Sequence, residues 1–527
     1  MDPSFVPDSI ADFARHNAQA LPDKPALYFE GQMMTYSELD RWSSQTAQGL
    51  LELGCKPDER IGVLAKNSHL YFEILMAGSK AGVVTCPVNW RLAVPEVGYI
   101  LNDAQVRVLF IGPEFLDALA AIRAEAPLVE HVICIEPNDQ ETPDLVRWRS
   151  AFKAEDPAIT TDIKSAAIQL YTSGTTGRPK GTILSHRALL ENYRRKLRHP
   201  VEDWDIWDKD DVSLIAMPCF HVGGTAWGLM GLAHGATGVV TRDFDPVQVL
   251  DFIDQYRISK LFLVPAAMQF VLGLPKAREV DYAQLRYILY GASPIPLELL
   301  RECIDVFGCG FVQMYGMTET SGTIVVLPPE DHDVKGNERM RSAGKARRDV
   351  ELAILDEAGN PLPPREVGEI ATRSVMNMNG YWNLPEATSK TLSDDGWLRT
   401  GDAGYLDEDG YVYIHDRVKD MIISGGENIY PAEVENAIYG HPGISDVAVI
   451  GVPDEKWGEA VKACVVIAEG AAVTHQDVID HARSKIAAYK CPKSVDFVDS
   501  LPRNPSGKIL RRELRSKYWS DKERSVN

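Results

Sequence analysis

The stretch AAIQLYTSGTTGRPKG, residues 166–181, contains an apolar run and then a loop rich in hydroxyl groups and glycines. The run 166–171 predicts a strand that leads the chain into the loop. Glycines let backbone N–H groups approach an anion, hydroxyls add hydrogen-bond donors, and Lys180 adds a point charge. The segment therefore predicts a loop that binds phosphate oxygens.

This loop differs from a Walker A loop, in which the lysine enters a helix. Here Pro179 precedes Lys180 and disfavours a helical conformation at Arg178. A loop of glycine, serine and threonine is often only a flexible surface turn. The number of hydroxyls and the presence of Lys180 favour phosphate binding over that alternative.

Around this loop, the first 400 residues alternate between helical and strand patterns. Residues 36–53 and 71–81 predict helices, and residues 60–68 and 82–89 predict strands. Strands that alternate with helices of this length indicate parallel sheets covered on both faces.

The pattern changes after the charged segment 328–344, which has little apolar periodicity and predicts an exposed loop. Residues 350–364 and 367–375 are rich in strand-forming residues and turn signals. Residues 407–417 predict a hairpin with an Asp-Gly turn. This part of the chain therefore predicts a β-rich subdomain.

The last 110 residues or so return to a mixed pattern. Residues 431–443 predict a helix, and residues 447–452 and 462–468 predict strands. Thr474 and Asp477 form a capping-box pattern for a helix over 478–487. The predicted fold class is α/β, with a large N-terminal domain of αβ-layered sheets and a β-rich subdomain, residues 1–417, and a small α+β domain, residues 418–527.

The composition limits the classes of partner. The 527 residues carry a net charge of −20, which argues against a general binder of nucleic acid or anionic membranes. Eight cysteines without a CxxC pair indicate reduced thiols rather than a zinc site or a disulfide framework. No signal-peptide pattern is visible, and the most apolar stretch, 261–274, is too short for a membrane span. We expect a soluble, cytoplasmic protein with no membrane span.

Three short motifs carry candidate binding residues. In MYGMTET, residues 314–320, an aromatic ring can stack on a base, and a carboxylate beside hydroxyls can hold Mg²⁺ against a triphosphate. YGAS, residues 290–293, and FHVGG, residues 220–224, each follow a predicted strand. Taken alone, these motifs are equally typical of a strand end with one acid, a turn and a structural histidine.

Two further segments carry charged candidates. In WLRTGDAGYLDEDGYVYIHDR, residues 397–417, Asp402 can accept hydrogen bonds from a ribose diol and Arg417 can clamp ribose and phosphate. In RNPSGKILRRELRSK, residues 503–517, a turn presents Lys508 at an exposed tip. Surface charges and a basic, solvated helix are the alternatives.

In this order, the motifs resemble the signature of the adenylate-forming, or AMP-binding, superfamily of acyl-CoA synthetases, peptide-synthetase adenylation domains and beetle luciferases. The resemblance spans nearly the whole chain, and it implies ATP and Mg²⁺ as cofactors and coenzyme A as a substrate. It makes Lys508 the adenylation lysine, Glu319 the magnesium ligand, and Thr318 and His221 further catalytic residues. The ATP- and AMP-binding residues that it implies are Thr172, Ser173, Gly174, Thr175, Thr176, Gly177, Lys180, Gly291, Ala292, Ser293, Met314, Tyr315, Gly316, Asp402, Ile414, Arg417 and Lys508.

The resemblance also implies a mobile small domain and an acyl pocket. The hinge would lie at Lys419, and the turn Ser424, Gly425 and Gly426 would approach the coenzyme A thiol. The acyl pocket would be formed by His221, Gly223, Gly224, Trp227, Gly291, Gly316 and Val325. Amino-acid-activating relatives carry an aspartate where this chain has His221, which argues against an amino-acid substrate.

The resulting prediction is an ATP-dependent carboxylic acid–CoA ligase that works through an acyl-adenylate on a medium- or long-chain fatty acid. The alternatives are an aryl or cinnamate-type acid, a carrier-protein thiol as acceptor, a luciferase-like oxygenase, and a non-catalytic nucleotide- or acyl-binding protein. Acid, ATP and coenzyme A are the expected partners, without nucleic acid, and a homodimer is one option for the assembly.

Overall fold

Strands and helices alternate along most of the chain. The computed structural model describes residues 4–140, 142–172, 178–417, 420–424, 427–454, 456–504 and 507–519. In these ranges the first strands are β1 (Pro25–Phe29), β2 (Gln32–Thr35), β3 (Arg60–Leu64), β4 (Val84–Pro87), β5 (Val108–Ile111), β6 (His131–Cys134), β7 (Ala166–Thr172) and β8 (Lys180–Ser185). They are followed by β9 (Val212–Ile215), β10 (Thr237–Val240), β11 (Lys260–Leu263), β12 (Tyr287–Gly291), β13 (Gly310–Met317), β14 (Gly322–Leu327), β15 (Gly344–Ala346), β16 (Glu351–Leu355), β17 (Gly368–Arg373), β18 (Gly380–Tyr381), β19 (Trp397–Leu406) and β20 (Tyr411–Arg417). The last strands are β21 (Ile422–Ser424), β22 (Glu427–Ile429), β23 (Ile444–Asp454), β24 (Gly458–Ile467) and β25 (Ser494–Phe497).

The α-helices lie mostly between these strands in sequence. The first of them are α1 (Asp12–Ala20), α2 (Tyr36–Glu52), α3 (His69–Ala81), α4 (Val94–Asp103), α5 (Leu119–Glu125), α6 (Leu145–Ser150), α7 (His186–Arg198) and α8 (Val222–Ala233). They are followed by α9 (Pro246–Gln255), α10 (Pro265–Leu272), α11 (Leu297–Phe307), α12 (Pro385–Thr391), α13 (Pro431–Tyr439), α14 (His475–Arg483) and α15 (Arg511–Trp519). No described helix is long and apolar enough to cross a membrane.

Three sheets organise the described residues. The largest has the order β16-β17-β19-β20-β15-β14-β13-β12-β11-β9-β10-β1-β2, and its pairs from β13 through β12, β11, β9 and β10 to β1 are parallel. The pairs from β13 to β16 are antiparallel and form the predicted β-rich part. The second sheet has the order β18-β8-β7-β4-β3-β5-β6, and the third joins β22, β21, β24, β23 and β25. The predicted α/β fold class is confirmed.

Helix α3 shows how the layers pack. Its residues, HLYFEILMAGSKA, are all buried, as expected for a helix without a polar face. The helix contacts β1 of the first sheet and β4 of the second, so it lies between the two sheets. The Ser68 hydroxyl caps its N-terminus by accepting a hydrogen bond from the Leu70 N–H, and Gly82, at φ 71°, ends it in the left-handed conformation.

Several sequence predictions match these elements closely. The helix predicted over 36–53 is α2, which begins at a capping box formed by Thr35 and Glu38. The capping box of Thr474 and Asp477 is also present, but its helix spans His475–Arg483 and ends four residues before the predicted end. The third sheet begins at Ile422. The domain boundary after residue 417 stays a prediction.

The prediction of an exposed loop over 328–344 is wrong in part. Asp331 is only 5% exposed, and it accepts a 2.8 Å hydrogen bond from the Tyr411 hydroxyl of β20. Met340 is 4% exposed within the main hydrophobic core. Asp331 is a charged residue, and Met340 is an isolated apolar residue among charged neighbours. Neither therefore contributes to an apolar period that would predict a buried position.

Candidate active site

The strands on both sides of the predicted phosphate loop form a hairpin. Thr172 at the end of β7 pairs with Lys180 at the start of β8, so the loop leaves and re-enters the sheet at one edge. Two contacts from α4 hold this edge: the Tyr171 hydroxyl donates to Asp103 Oδ2 at 2.5 Å, and the Tyr99 hydroxyl donates to the Pro179 carbonyl at 3.3 Å. The structure therefore fixes both ends of the loop.

Some predicted residues lie outside the described ranges. They are Ser173, Gly174, Thr175, Thr176 and Gly177 of the phosphate loop, Lys419 at the hinge, and Gly425 and Gly426 of the coenzyme A turn. The side chain of Arg417 also lies outside them. Their roles stay predictions. Ser424 is described at the end of β21, where it pairs with Gly458 of β24.

Residues from three separate segments of the chain meet at the carboxylate of Glu319. Glu319 Oε1 accepts hydrogen bonds from the Thr172 hydroxyl at 3.3 Å and from the Tyr381 hydroxyl at 2.9 Å. Glu319 is 6% exposed and lies in a short 3₁₀ helix, Thr318–Thr320, at the end of β13. The structure thus brings two of the predicted residues, Thr172 and Glu319, into contact.

The groups around Glu319 suit a magnesium ion. Mg²⁺ prefers hard oxygen ligands, and it is commonly held by one or two carboxylates together with water and substrate phosphates. Glu319 offers a carboxylate with two hydroxyls beside it. Among the described residues, no three His, Cys, Asp or Glu side chains converge as a metal site. An ion at Glu319 would therefore complete its shell with water and triphosphate oxygens.

Tyr381 was not predicted from the sequence. It lies in the two-residue strand β18, which pairs with β8, and its hydroxyl reaches Glu319. Its ring centroid is 4.7 Å from Lys180 Nζ, a cation–π distance. Tyr381 therefore contacts both Lys180 of the phosphate loop and the candidate metal ligand Glu319. The only signal for it was an aromatic residue after a glycine, which is too common to be informative.

The candidate adenine and ribose residues also lie together. The Tyr315 hydroxyl donates to Asp402 Oδ2 at 2.7 Å, which joins β13 to β19. Asp402 is 7% exposed, and it is opposite Arg417 in the register of β19 and β20. Tyr315 and Ile414 pack against the same small core cluster. The structure therefore groups three of the predicted nucleotide residues at one edge of the β-rich part.

Two of the predicted glycines allow close approach of backbone segments. A Cβ atom on Gly291 would lie 2.0 Å from the Met314 carbonyl oxygen, and one on Gly316 would lie 1.8 Å from the Gly322 carbonyl oxygen. Ala292 has a φ of 66°, which strains a residue with a side chain. Strained backbone of this kind occurs at many functional sites. The contacts of Gly291, Ala292 and Gly316 with a ligand stay predictions.

His221 is half-buried at the start of α8. Its Nε2 atom has no hydrogen-bond partner among the described residues. Burial, with a further contribution from the Arg91 charge, lowers the pKa of His221 to about 4. The ring is therefore neutral at pH 7, with one nitrogen left without a protein partner. Such a nitrogen is suited to a hydrogen bond with a ligand.

The other predicted acyl-pocket residues serve mainly as packing residues in this structure. Trp227 is 4% exposed, and its indole N–H donates to the Leu214 carbonyl at 2.9 Å. Val325 is fully buried in a core cluster. A Cβ atom on Gly224 would lie 2.3 Å from the Pro218 carbonyl oxygen, whereas one on Gly223 would face the Phe262 ring at 3.3 Å. Their contact with an acyl group stays a prediction.

Lys508, in the small domain, lies next to residues of the large domain. It lines a cavity of about 100 Å³ together with Ser293 and Pro265. A Cβ atom on the preceding residue, Gly507, would lie 3.3 Å from Val264 and 3.4 Å from Ala266, so the turn packs against the start of α10. Two predicted site residues from different domains, Ser293 and Lys508, thus share one cavity. A larger crevice of about 600 Å³ nearby contains no predicted site residue.

Comparisons with known proteins agree with this arrangement. A family model described as AMP-binding enzyme matches residues 14–382, and one described as AMP-binding enzyme C-terminal domain matches residues 433–508. Fatty acid–acyl-carrier-protein ligase ScoC of Streptomyces coeruleorubidus is 42% identical over 514 residues, which cover 97% of this chain and 96% of that protein. Feruloyl-CoA synthase of an Amycolatopsis species is 39% identical over 502 residues, which cover 95% of this chain and 97% of that protein.

A solved structure extends the similarity to the whole fold. The crystal structure of ATP-bound MatB from Rhodopseudomonas palustris superposes with a TM-score of 0.87 at 31% identity, and the match covers 97% of this chain and 99% of that one. The chain therefore belongs to the AMP-binding enzyme family, as its motifs predict, and it is an ATP-dependent, AMP-forming acid–thiol ligase.

Proposed function

We propose that the protein joins a medium- or long-chain fatty acid to coenzyme A in two steps, through an acyl-adenylate. The observation that carries this proposal is the position of Lys508, which shares a cavity with Ser293 while its turn packs on Val264 and Ala266. In this proposal, Lys508 reaches a nucleotide that binds beside Tyr315 and Asp402, whose side chains are joined by a hydrogen bond.

In the first step, a carboxylate oxygen of the acid attacks the α-phosphorus of ATP. The new bond joins carboxylate and phosphorus, and the bond to the β-phosphate oxygen breaks, which releases pyrophosphate. Two anions must approach each other, and a unit charge pair at 4 Å is worth ~4 kcal/mol at an effective dielectric of ~20. The Lys508 ammonium supplies the positive charge that offsets this repulsion.

Residues of the large domain bind and orient the nucleotide. Asp402 accepts hydrogen bonds from the ribose, Tyr315 stacks on the adenine, and Lys180 with the phosphate loop holds the phosphates. Magnesium held by Glu319 would neutralise charge on the departing pyrophosphate. In this proposal, His221 serves at the acyl end of the site, and its support is a neutral ring whose Nε2 has no hydrogen-bond partner among the described residues.

In the second step, the thiol of coenzyme A attacks the acyl carbon, loses its proton and releases AMP. The small domain, residues 418–527, rotates about Lys419, so Lys508 leaves and the turn at Ser424 arrives. No covalent bond to the enzyme forms in either step. The eight free cysteines are compatible with the reducing cytoplasm as the place of this reaction.

The identity of the acid is tested by AMP release that depends on coenzyme A. We expect release with fatty acids of medium or long chain to exceed release with ring acids. Higher rates with ferulate and other cinnamates throughout the panel would reverse this order. That second candidate is favoured by the relative named feruloyl-CoA synthase, which is 39% identical.

The thiol acceptor is a separate question. The relative named a fatty acid–acyl-carrier-protein ligase is 42% identical, which favours a carrier protein as the second candidate acceptor. Purified enzyme, ATP and the preferred acid should be assayed with coenzyme A and with a holo carrier protein. Thioester on coenzyme A supports our proposal, and thioester on the carrier protein alone contradicts it.

A further inference from the structure

The turn that carries Lys508 is closed by hydrogen bonds of its own. The Asn504 N–H donates to the Lys508 carbonyl at 2.8 Å, and the Lys508 N–H donates to Asn504 Oδ1 at 2.8 Å. The Gly507 N–H donates to the Asn504 carbonyl, also at 2.8 Å. These bonds join Asn504 to Gly507 and Lys508, but they do not connect these residues to the rest of the small domain.

Arg503 connects this turn to the sheet of the small domain. Its Nη1 donates to the Gly507 carbonyl at 2.7 Å, and its Nη2 donates to the Asp446 carboxylate at 2.7 and 3.0 Å. The Arg503 and Asp446 side chains are 25% and 22% exposed. A planar guanidinium can hold two partners in a fixed geometry, which the single ammonium of a lysine does less well. Arg503 therefore joins the Lys508 turn to β23 through the Gly507 carbonyl and the Asp446 carboxylate.

The same part of β23 is bonded to the large domain. Gln269 of α10 donates from Nε2 to the carbonyl of Ser445, the residue before Asp446, at 2.9 Å. The start of α10 contacts the other end of this arrangement, because Gly507 packs against Val264 and Ala266. Helix α10 thus contacts both the strand that holds Arg503 and the turn that carries Lys508.

We propose that Arg503 and Gln269 are positioning residues for the first half-reaction. Gln269 aligns β23 on α10, and Arg503 transfers that alignment to the Lys508 turn, so that the ammonium reaches the cavity at Ser293. This inference rests on the proposed two-step function. It predicts that both residues matter for adenylate formation and not for transfer of the acyl group to the thiol.

A purely structural role would have a different consequence. A partly exposed ion pair contributes little to the stability of a fold. Loss of Arg503 through misfolding would lower both half-reactions together, whereas loss of positioning would lower only the first. The ratio of the two half-reactions therefore separates the two explanations.

The experiment compares Arg503→Met with the wild type in two assays. ATP–pyrophosphate exchange measures the first half-reaction, and thioester formation from synthetic acyl-adenylate and coenzyme A measures the second. We expect exchange to fall about tenfold to a hundredfold, as for loss of charged hydrogen bonds, with thioester formation within about twofold of wild type. Equal loss in both assays, or unchanged exchange, would overturn the proposal.

Two matched variants sharpen this test. Arg512→Met removes the same charge from the exposed first turn of α15, and it should leave both assays unchanged. Arg503→Lys keeps the charge but can satisfy only part of the geometry, so exchange should recover partly. Full activity of Arg503→Lys together with a loss in Arg512→Met would mean that net charge, and not position, is responsible, and it would overturn the proposal.

Gln269→Leu tests the contact between the domains. We expect exchange to fall about threefold to tenfold, the size of one neutral hydrogen bond, with no change in the second half-reaction. Unchanged exchange would overturn the role of Gln269. A wild-type enzyme without any exchange activity would instead contradict the proposed function, so the two failures can be distinguished.

Discussion

In the large domain, the Glu319 carboxylate is 6% exposed and accepts hydrogen bonds from Thr172 and Tyr381 of the same domain. The contacts of the small domain with α10 are different. Gln269 of α10 donates one hydrogen bond to Ser445 of β23, and Gly507 of the Lys508 turn packs on the start of the same helix. Buried hydrogen bonds are costly to break, whereas partly exposed contacts exchange with water at little cost. In the proposed function, the large domain is therefore the fixed frame for the nucleotide, and the small domain supplies a cation that can leave.

Lys508→Ala, in the small domain that is proposed to move, has the largest expected effect on adenylate formation. Removing the ammonium should lower ATP–pyrophosphate exchange by about a thousandfold, the equivalent of ~4 kcal/mol. Thioester formation from presynthesised adenylate should be largely spared, because Lys508 has no role in that step. Equal losses in the two assays would contradict the claim that Lys508 acts only in the first step and then leaves the site.

Glu319→Gln tests the fixed side. The amide keeps the size of the side chain but loses the charge that suits Mg²⁺, so we expect exchange to fall about a hundredfold. The magnesium concentration that gives half-maximal exchange should also rise. Glu351→Gln, at an exposed ion pair with Arg373 between β16 and β17, serves as a control. An unchanged magnesium requirement in Glu319→Gln would contradict a metal role for this carboxylate.

The pH dependence of stability tests the environment of His221 in the large domain. Its pKa in the folded protein is about 4, below the usual 6.5, so the unfolded chain binds this proton more readily. Acidification from pH 6.5 towards 4 therefore favours unfolding. At pH 5, His221 lowers the free energy of unfolding by about 2 kcal/mol relative to neutral pH. We expect His221→Gln to lose less thermal stability than the wild type between pH 7 and pH 5.

His131→Gln is the matched control for that experiment, because the His131 side chain is 41% exposed. A His221→Gln variant with wild-type acid sensitivity would mean that the half-buried His221 ring does not resist protonation.

The local parts of the fold could be predicted from the sequence. The start of α2 follows from the Thr35 and Glu38 capping box, and the strand before the phosphate loop follows from the mainly apolar run 166–171. Each of these features depends on neighbouring residues, so a short window of sequence contains the necessary information. The order of the motifs then added the family and the candidate nucleotide residues.

The contacts between distant residues could not be predicted in this way. Tyr381 bonds to Glu319 across 62 residues, and Tyr411 bonds to Asp331 across 80 residues. Arg503 and Asp446 are 57 residues apart, and neither belongs to a periodic pattern that would single it out. Such pairs arise only when the sheets have assembled, so the polar network that supports the site needed the three-dimensional structure.

The central claim is that the small domain must leave α10 between the two steps. Its most direct test is a double variant, Gln269→Cys with Ser445→Cys, joined by a short bismaleimide linker, whose thioether bonds are stable to the coenzyme A thiol. Both single variants treated with the same reagent control for reaction at native cysteines. We predict that the linked enzyme forms acyl-adenylate once per site but makes almost no thioester, whereas the treated single variants make both. Thioester formation at the wild-type rate while the linker is intact would contradict the account.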